Sequence, residues 1–423
     1  MSNIRFYNAR ILDVENGSIF EGELHVEGNT ISYIGTDVTS KEFDEEIDCH
    51  GNLLMPGFKN AHTHSAMTFL RSYCDDASLQ TWLFDNVLPM ESKLTENDVY
   101  ELTKLAVLEY LSSGITTVMD MYIHPFAGAK AFTEMNFRNV LIGCLDYYSI
   151  SKDDMRKMYH DMNSISSLTK YRLGFHSEYT IEENMLRNIA SLSKELKEPI
   201  FTHLSETKSE VEGSISRHGM TPIQYFDSLG LLENGGGFYH CVHLTKEDVE
   251  LFKEKKLNVV TCPCSNSKLT SGIPDLLDYY NNEIKIGIGT DGAASNNSLD
   301  MFKEMYLLSV LQKLKHNDPV AIKANEIIKF ATYNNAHIMG MEEIDSLKVG
   351  KLADIIMIDL NKPSMQPINN IVSNLVYSGS KDIVKMTMID GNILYFNGEY
   401  RLNVNVDDIY KKSQNIIDRI KNS

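Results

Sequence analysis

Eight short apolar runs, rich in β-branched residues, recur through the middle of the chain and constrain its fold most strongly. They read NLLMPGFKNAHTH, GITTVMDMY, NVLIGCLD, RLGFHSEY, PIFTHLSE, GFYHCVHL, NVVTCPCS and IKIGIGTDG. Several are separated by segments with helical periodicity, such as NDVYELTKLAVLEYLSSG, EENMLRNIASLSKELKE and TKEDVELFKEKKL. This alternation is typical of a parallel sheet with helices on its faces. Eight such units predict an α/β fold, a closed (β/α)8 barrel of the TIM type.

The two ends of the chain differ from this middle because both are rich in strand signals without long helices between them. Neither end alone holds enough strands for a stable sheet. We therefore predict that residues 1–55 and 345–423 pair into one small composite β-sandwich domain, while residues 56–344 form the barrel. The closing segment VDDIYKKSQNIIDRIKN is amphipathic and predicts a terminal helix.

Composition favours a soluble protein with a small-molecule substrate. Apolar residues make up 43% of the 423 residues, and no apolar run approaches the roughly 20 residues that cross a bilayer. A net charge of −18 without a basic stripe argues against nucleic acid or an anionic membrane as a partner. The amino terminus lacks the apolar core of a secretory signal, so we expect a cytoplasmic location.

Cysteine usage does not indicate a disulfide framework or a cysteine metal site. Six cysteines are sparse for a chain of this length and fit a reducing compartment. Cys262 and Cys264 form the single close pair, and a zinc knuckle would need a second such pair. We therefore do not expect these thiols to bind metal.

Polar residues that can bind metal or transfer protons end most of the eight runs. In a barrel of this type the chemistry lies at the carboxyl ends of the strands. The residues found there are His62, His64, Asp120, His124, Asp146, His176, Glu178, His203, Glu206, His240, His243 and Asp291. Because residues i and i+2 of a strand point the same way, the two histidines of NAHTHS can share one target.

Four of these residues form a sensible set of metal ligands. Three imidazoles and one carboxylate suit a single divalent ion with one position left for water. We select His62, His64, His203 and Asp291. Such an ion lowers the pKa of bound water to about 7, which makes hydrolysis the expected reaction class.

Two further positions suit proton transfer, and one of them is ambiguous. Glu206 lies three residues beyond His203, where a carboxylate can reach a substrate without binding metal, although a solvated loop acid would share this spacing. His240 and His243 differ by three, so a regular strand points them to opposite faces. Only one of the two can face the lumen, and spacing alone does not choose.

With these motifs the sequence resembles the amidohydrolase superfamily, and within it the methylthioadenosine/S-adenosylhomocysteine deaminase group. The matching strings are PGFKNAHTH, WLFDNVLPME, DMYIHP, FTHLSE, HCVHL, SNSKLTSGI and GTDGAASNNSLDMFKEM, which span nearly the whole chain. The strings are specific for the superfamily, while hydrolases of guanine, triazines and other heterocycles share most of them. The resemblance implies hydrolytic release of ammonia from an adenosine-type nucleoside.

The resemblance also implies roles for individual residues. It places one divalent metal, zinc before iron or manganese, on His62, His64, His203 and Asp291. Asp291 would take a proton from the metal's water, Glu206 would protonate the ring nitrogen, and His240 would orient the nucleophile. The substrate would be bound by Glu91, which resembles the acid that holds the ribose hydroxyls, together with His176, Glu206 and Asp291. A homodimer or homotetramer is the expected assembly.

The third run departs from the family pattern. Members that act on S-adenosylhomocysteine tend to carry an arginine near the end of this strand, where it suits the amino-acid carboxylate. Here Gly143 and Cys144 occupy the position, and Arg156 further on is expected to be a solvated helix residue. We therefore favour methylthioadenosine or adenosine as the substrate.

Two single residues lie near the expected site without a defined role. Trp82 belongs to the long insertion after the first strand, where it either covers the pocket or packs the loop. His124 follows the second strand and is expected to make a structural hydrogen bond rather than to bind substrate.

Two other functions compete with nucleoside deamination. The same site could act on another heterocycle, such as guanine, a pterin or a triazine, by releasing an amine or a halide. A barrel without activity would instead show damage to the metal set or to Glu206, and neither is seen in the sequence.

Overall fold

The computed structural model describes residues 3–37, 41–77, 81–143 and 150–422. Its β-strands, in chain order, are β1 Asn3–Asp13, β2 Ser18–Glu27, β3 Thr30–Gly35, β4 Glu45–Asp48, β5 Leu53–Pro56, β6 Phe58–Thr63, β7 Ile115–Asp120, β8 Arg138–Ile142, β9 Thr169–Gly174, β10 Ile200–Leu204, β11 Gly236–His240, β12 Asn258–Thr261, β13 Lys285–Ile288, β14 Ile355–Ile358, β15 Val384–Ile389, β16 Asn392–Phe396 and β17 Glu399–Tyr400.

The α-helices alternate with the barrel strands and continue beyond them. They are α1 Leu88–Glu91, α2 Glu96–Ser112, α3 Pro125–Glu134, α4 Lys152–Asn163, α5 Glu183–Leu196, α6 Lys208–His218, α7 Pro222–Ser228, α8 Lys246–Lys255, α9 Pro263–Lys268, α10 Leu276–Asn281, α11 Ala293–Asn296, α12 Met301–His316, α13 Ala324–Lys329, α14 Asn335–Met339, α15 Ile371–Tyr377 and α16 Val406–Asn422. Short 3₁₀ or π turns occupy Ser65–Leu70, Thr81–Val87, Glu178–Thr180, Phe330–Asn334, Glu342–Ile344, Pro363–Met365 and Lys381–Ile383.

The barrel predicted from the eight apolar runs is confirmed. Strands β6 to β13 lie side by side in chain order, and each pairs in parallel with the next. The eighth strand returns to the first, since the Asp291 amide donates to the His62 carbonyl at 3.0 Å and the Thr290 amide to Asn60 Oδ1 at 2.9 Å. Every residue of β6 is buried, as expected of a strand covered on both faces.

The helices that follow the strands begin where the sequence offers capping residues. Thr95, Thr207 and Thr245 accept hydrogen bonds from the first turns of α2, α6 and α8, respectively. Such caps satisfy amide groups that have no partner within the helix. The three helical segments identified from periodicity coincide with α2, α5 and α8.

The two ends of the chain pair with each other, as predicted, and where a β-sandwich was expected their described strands join in one sheet. Among the described residues, nine strands join in the order β17-β16-β15-β14-β5-β1-β2-β3, with β4 paired to β1. The halves meet edge to edge where β5 pairs with β14 in antiparallel register, with Leu54 opposite Met357. Apolar residues of both halves share one buried cluster. The domain boundaries at residues 55/56 and 344/345 stay a prediction.

The terminal helix α16 is also present, and it packs on the barrel rather than on the sheet. Arg419 binds Asp98 of α2, and the Lys412 ammonium lies 3.0 Å from a Glu101 carboxylate oxygen of the same helix. Ile416 and Ile420 enter an apolar cluster with Met67 and Trp82. None of the helices in the described ranges is both long enough and apolar enough to span a bilayer.

A buried ion pair joins the amino end of the barrel to the sheet. Arg138, the first residue of β8, donates from Nε to Asp354 Oδ2 at 2.7 Å and from Nη2 to Asp390 Oδ1 at 3.0 Å. The side chains of Arg138 and Asp354 are 2% and 0% exposed. Water therefore cannot replace either partner, which makes the pair costly to break.

Replacing Asp354 with alanine is expected to lower the free energy of unfolding by about 3 kcal/mol, because the guanidinium would stay buried with incomplete compensation. Urea denaturation followed by circular dichroism measures this change. The matched control is Asp161→Ala, which removes the partner of Lys157 in an exposed pair of α4 and should cost less than about 0.5 kcal/mol. Equal losses in the two variants would contradict this account of the interface.

Candidate metal centre and active site

Five imidazoles and one carboxylate meet at the carboxyl end of the barrel. His62 and His64 come from the end of β6, and His203 from β10. The other three are His176, His240 and Asp291, from the ends of β9, β11 and β13. The His203 ring lies 4.7 Å from that of His62, 5.4 Å from those of His64 and His240, and 4.6 Å from that of His176. Residues from five strands thus share one centre.

The donor atoms are close enough to hold one cation. Ligand atoms of His62, His203, His240 and Asp291 all lie within 4.8 Å of one another. Asp291 Oδ1 is 3.5 Å from His62 Nε2 and 3.2 Å from His64 Nε2. Two ligands about 2.0–2.1 Å from a tetrahedral ion lie roughly 3.3 Å apart, so these spacings fit a common ion.

Hydrogen bonds orient the imidazoles so that Nε2 faces this centre. His64 Nδ1 lies 2.5 Å from the Met121 carbonyl oxygen, and His203 Nδ1 lies 2.7 Å from that of His176. A carbonyl can only accept, so each Nδ1 carries a proton, and in the neutral ring Nε2 presents a lone pair. Such bonds from the distal nitrogen are typical of metal-binding histidines.

His62 gives the clearest sign that something further binds here. Its side chain is fully buried, and neither ring nitrogen makes a hydrogen bond to a described residue. Buried polar atoms without partners are rare because they lose their contacts with water and gain nothing in return. A cation held by a ring nitrogen would satisfy the ring.

The charges of the buried groups also match a cation site. Burial lowers the pKa of His62 to about 3 and that of His176 to about 4, and it moves the pKa of His203 downward as well. These rings are therefore neutral, as metal ligands must be. His64 differs: burial disfavours its charge, but the neighbouring Asp291 outweighs burial and raises the pKa to about 9. A positive charge is thus favoured at the point where a cation would lie.

Asp291 is held as a carboxylate by its surroundings. Burial alone would raise its pKa, but the nearby imidazoles of His62 and His64 bring it well below the ordinary value. The hydroxyls of Ser265 and Ser295 donate to Oδ2 at 2.6 and 2.8 Å, which leaves Oδ1 facing the imidazoles. The residue has a left-handed backbone with φ of 58°, a conformation that costs of order 1–3 kcal/mol and clusters at functional sites.

The structure separates His240 from His243. His240 Nδ1 lies 2.8 Å from Asn266 Oδ1, and its ring belongs to the donor group described above. His243 lies outside this group, with Nε2 2.8 Å from the Ser271 carbonyl. Since His240 stands next to the centre together with His64, the choice of four ligands among five neighbouring groups is treated as a proposal below.

Glu206 faces the same centre from the segment after β10. Its Oε1 accepts a hydrogen bond from the Ser271 hydroxyl at 2.9 Å, and its Oε2 lies 3.9 Å from His240 Nε2. The side chain is 12% exposed, so it is directed inward and is not a solvated loop acid. This is the location expected of a proton donor that does not bind the metal.

A cavity of about 280 Å³ opens beside the histidines, with His64 and His176 in its wall. Glu91 lies in the same wall, where it accepts a 2.5 Å hydrogen bond from the Tyr122 hydroxyl. Burial raises the pKa of Glu91, which that hydrogen bond partly opposes. The remaining walls are mainly apolar and include Met67, Leu83, Phe84, Leu88, Met121 and Ile123.

The other residues singled out from sequence lie at the edge of this site or outside it. Trp82 is buried in an apolar cluster beside Met67 and Val87, while its neighbours Leu83 and Phe84 line the cavity. His124 precedes α3 and is not among the lining residues. Arg156 is a surface residue of α4 that pairs with Asp153 and Glu195.

The remaining strand-end residues also have other surroundings. Glu178 is buried and pairs with Arg217 and His218, and Asp120 accepts from the Ser65 amide at 2.6 Å. Cys262 and Cys264 are buried thiols and belong to no metal-binding group in the described part of the chain. Asp146 and Cys144 lie outside the described residues.

Sequence reasoning missed the residues that support the site. Ser265, Asn266 and Ser271 follow β12, and Ser295 follows β13. A search of strand ends for histidines and acids does not select hydroxyl and amide side chains. The available signal was their location in SNSKLTSGI and DGAASN, directly after the last two barrel strands.

Comparisons with known proteins show which family the chain resembles. The model of the amidohydrolase family matches residues 53–394. The 5′-deoxyadenosine deaminase of Methanobrevibacter smithii is 36% identical over 99% of this chain and 98% of its own length. The 5-methylthioadenosine/S-adenosylhomocysteine deaminase of Acetivibrio thermocellus is 38% identical over 97% of this chain and 99% of its own.

A solved structure extends the likeness to the fold. An adenosine deaminase from Xanthomonas campestris with bound zinc superimposes with a TM-score of 0.93 and 28% identity, covering 100% of this chain and 98% of that one. The buried histidines and Asp291, set at the carboxyl end of the same barrel, provide a site for a divalent metal. The chain is thus a member of the amidohydrolase family.

Proposed function

We propose that the chain catalyses the hydrolytic deamination of adenosine-type nucleosides, replacing the amine on C6 of the ring by oxygen and releasing ammonia. The observation that carries this proposal is a buried histidine and aspartate centre that opens onto an apolar cavity with Glu91 in its wall. The deaminases of similar sequence support the reaction type. A purine base suits the apolar walls, and a ribose suits the carboxylate.

His62, His64, His203 and Asp291 would hold one divalent cation, for which zinc is our choice before iron or manganese. Imidazole and carboxylate ligands accept all three metals, and the similar adenosine deaminase contains zinc. When bound, such an ion makes water more acidic and polarises the bond that is attacked.

The residues around the ion then move the protons. Asp291 accepts one proton from the attacking water and passes it to the departing amine, which leaves as ammonia. Glu206 in its protonated form donates to the ring nitrogen next to C6, and the second proton of the water returns to Glu206. His240, held by Asn266, orients the attacking oxygen. Each transfer is general acid–base chemistry by a fixed side chain.

We further propose that the 5′ substituent of the nucleoside is neutral, as in 5′-methylthioadenosine, 5′-deoxyadenosine or adenosine. The described residues that line the cavity include no lysine or arginine. The segments 78–80 and 144–149, outside the described residues, contain neither residue type in their sequence. Within this cavity the charged carboxylate of S-adenosylhomocysteine would therefore lose water without gaining a cation. Arg217 lines the adjoining cavity beyond Leu83 and Phe84, where it is already paired with Glu178.

The test is ammonia release from a substrate panel containing these nucleosides, S-adenosylhomocysteine, guanine and a chlorotriazine. We expect the three neutral nucleosides to have kcat/KM values at least ~10-fold above that of S-adenosylhomocysteine, which corresponds to about 1.4 kcal/mol. Faster turnover of guanine, or halide release from the triazine, would contradict the nucleoside assignment. A preference for S-adenosylhomocysteine would contradict only the neutral 5′ group.

Replacing Glu91 with glutamine is expected to raise the KM for adenosine roughly 10- to 100-fold with little change in kcat, since a hydrogen bond to a charged group is worth about 1.5–3 kcal/mol. Steady-state kinetics measures the change. The control substrate is 2′,3′-dideoxyadenosine, whose KM should be the same for the parent and the variant. An equal rise for both substrates would show that Glu91 does not bind the ribose hydroxyls.

A further inference from the structure

Glu210 of α6 is a buried acid for which the mechanism above has no use. Its side chain is among the buried charged groups, with the residue 7% exposed, and no described lysine, arginine or histidine forms an ion pair with it. Instead, its two oxygens accept from the main chain: Oε1 from the Ser205 amide at 2.7 Å and Oε2 from the Glu206 amide at 2.8 Å. Burying a carboxylate costs free energy, so the presence of a buried acid at this point of the fold needs an explanation.

The bonds made by Glu210 differ from those of an ordinary helix cap. Thr207 caps α6 and accepts from the Glu210 amide at 3.2 Å, which makes Glu210 the third residue of the helix. In a capping box the side chain at this position returns to the amide of the capping residue itself. Here it reaches further back, to the two residues before the cap.

Those two residues form the corner that carries Glu206 away from the metal-binding strand. Ser205 has a left-handed backbone with φ of 49°, which costs of order 1–3 kcal/mol for a residue other than glycine. His203 lies at the end of β10 just before this corner, and the Glu206 side chain leaves it toward His240 and Ser271. The direction of Glu206 therefore depends on how the corner is held.

We propose that Glu210 is a positioning residue, whose carboxylate fixes the Ser205–Glu206 corner and thereby directs the Glu206 side chain at the ring nitrogen of the substrate. The inference rests on the proposed function, in which Glu206 is the proton donor. Glutamine has nearly the same shape but one accepting oxygen and one amino group. In the variant Glu210→Gln, one of the two main-chain amides would face another donor.

The test is a double-mutant cycle on the metal-loaded enzyme. E210Q alone is expected to lower kcat about 10-fold or more, the effect typical of residues that orient catalytic groups, with KM and metal content close to those of the parent. E206Q alone is also expected to lower kcat, because it removes the proposed proton donor. In the E206Q background, E210Q should cause no further loss, because groups that act as a unit are not additive.

Two control variants separate positioning from helix stability. Glu212→Gln changes an exposed acid of the same helix and should match the parent in kcat and melting temperature. Thr207→Ala removes the helix cap but leaves both bonds of Glu210, so it should lower the melting temperature while kcat stays the same. A parental kcat for E210Q would overturn the proposal, as would equal losses from E210Q in both backgrounds.

The remaining outcomes are equally decisive. If E210Q fails to fold while Thr207→Ala folds, Glu210 is structural and the proposal is wrong. If E206Q itself retains the parental kcat, the proposed role of Glu206 fails, which is a result distinct from failure of E210Q alone.

Discussion

Replacing Asp291 with asparagine is expected to lower kcat roughly 10⁴-fold, the upper end of the range for a positioned acid–base group. In the proposed mechanism the carboxylate has two roles: it is a ligand to the cation, and it accepts a proton from water. An amide has neither the negative charge nor the basicity for these tasks. Ammonia release in metal-supplemented buffer measures the loss, and the melting temperature checks the fold.

The matched control for Asp291→Asn is Ser295→Ala. It removes one of the two hydroxyls that donate to Oδ2 but leaves the carboxylate and the Ser265 hydrogen bond in place. Loss of such a supporting bond costs roughly 10- to 100-fold. Activity of the asparagine variant within 10-fold of the parent (about 1.4 kcal/mol) would be incompatible with the mechanism.

Replacing Glu206 with glutamine is expected to lower kcat roughly 10³-fold without loss of the metal, since in the proposed mechanism the residue donates a proton and is not a ligand. Metal analysis and steady-state kinetics on the same preparation measure both quantities. Ser271→Ala serves as the control because it removes the hydroxyl that donates to Glu206 Oε1. Ser271→Ala should lower kcat far less than Glu206→Gln does. If the glutamine variant lost its metal, Glu206 would belong to the ligand set instead.

Much of the fold could be predicted because its elements are encoded locally. The apolar runs that became β6 to β13 carry β-branched residues, and the helices between them have clear caps such as Thr95 and Thr245. The pairing of β5 with β14 joins residues about three hundred positions apart. Local patterns predicted that the two ends pair into a composite β-sandwich, but they do not encode the strand order or the joining of both ends in a single sheet.

The direction of a site side chain could be predicted where the backbone is a regular strand, and it was ambiguous where the strand ends. His62 and His64 are separated by one residue at the end of β6, so their convergence follows from strand alternation. At His240 and Cys241 the backbone turns left-handed, with φ of 68° and 48°. Alternation therefore no longer determines the direction of a side chain, and the choice between His240 and His243 needed the structure.

The supporting residues were beyond prediction for a different reason. Serine and asparagine occur throughout the chain, and apart from its place directly after a barrel strand nothing in the sequence distinguishes Ser265, whose hydroxyl donates to Asp291, from a surface serine. Glu210 likewise has the pattern of an ordinary acid in the first turn of a helix. Its bonds to two amides before the cap depend on the left-handed turn at Ser205, which the sequence does not reveal.

Whether the buried imidazoles and Asp291 hold a cation is decided by the metal content per chain of the purified parent, His203→Ala and His243→Ala, determined by plasma mass spectrometry. His203 lies within the buried donor group, whereas His243 bonds only the Ser271 carbonyl among the contacts described above. We expect about one divalent ion in the parent and in His243→Ala, and nearly none in His203→Ala. An active parent without metal, or a His203→Ala variant with its full complement, would contradict this expectation.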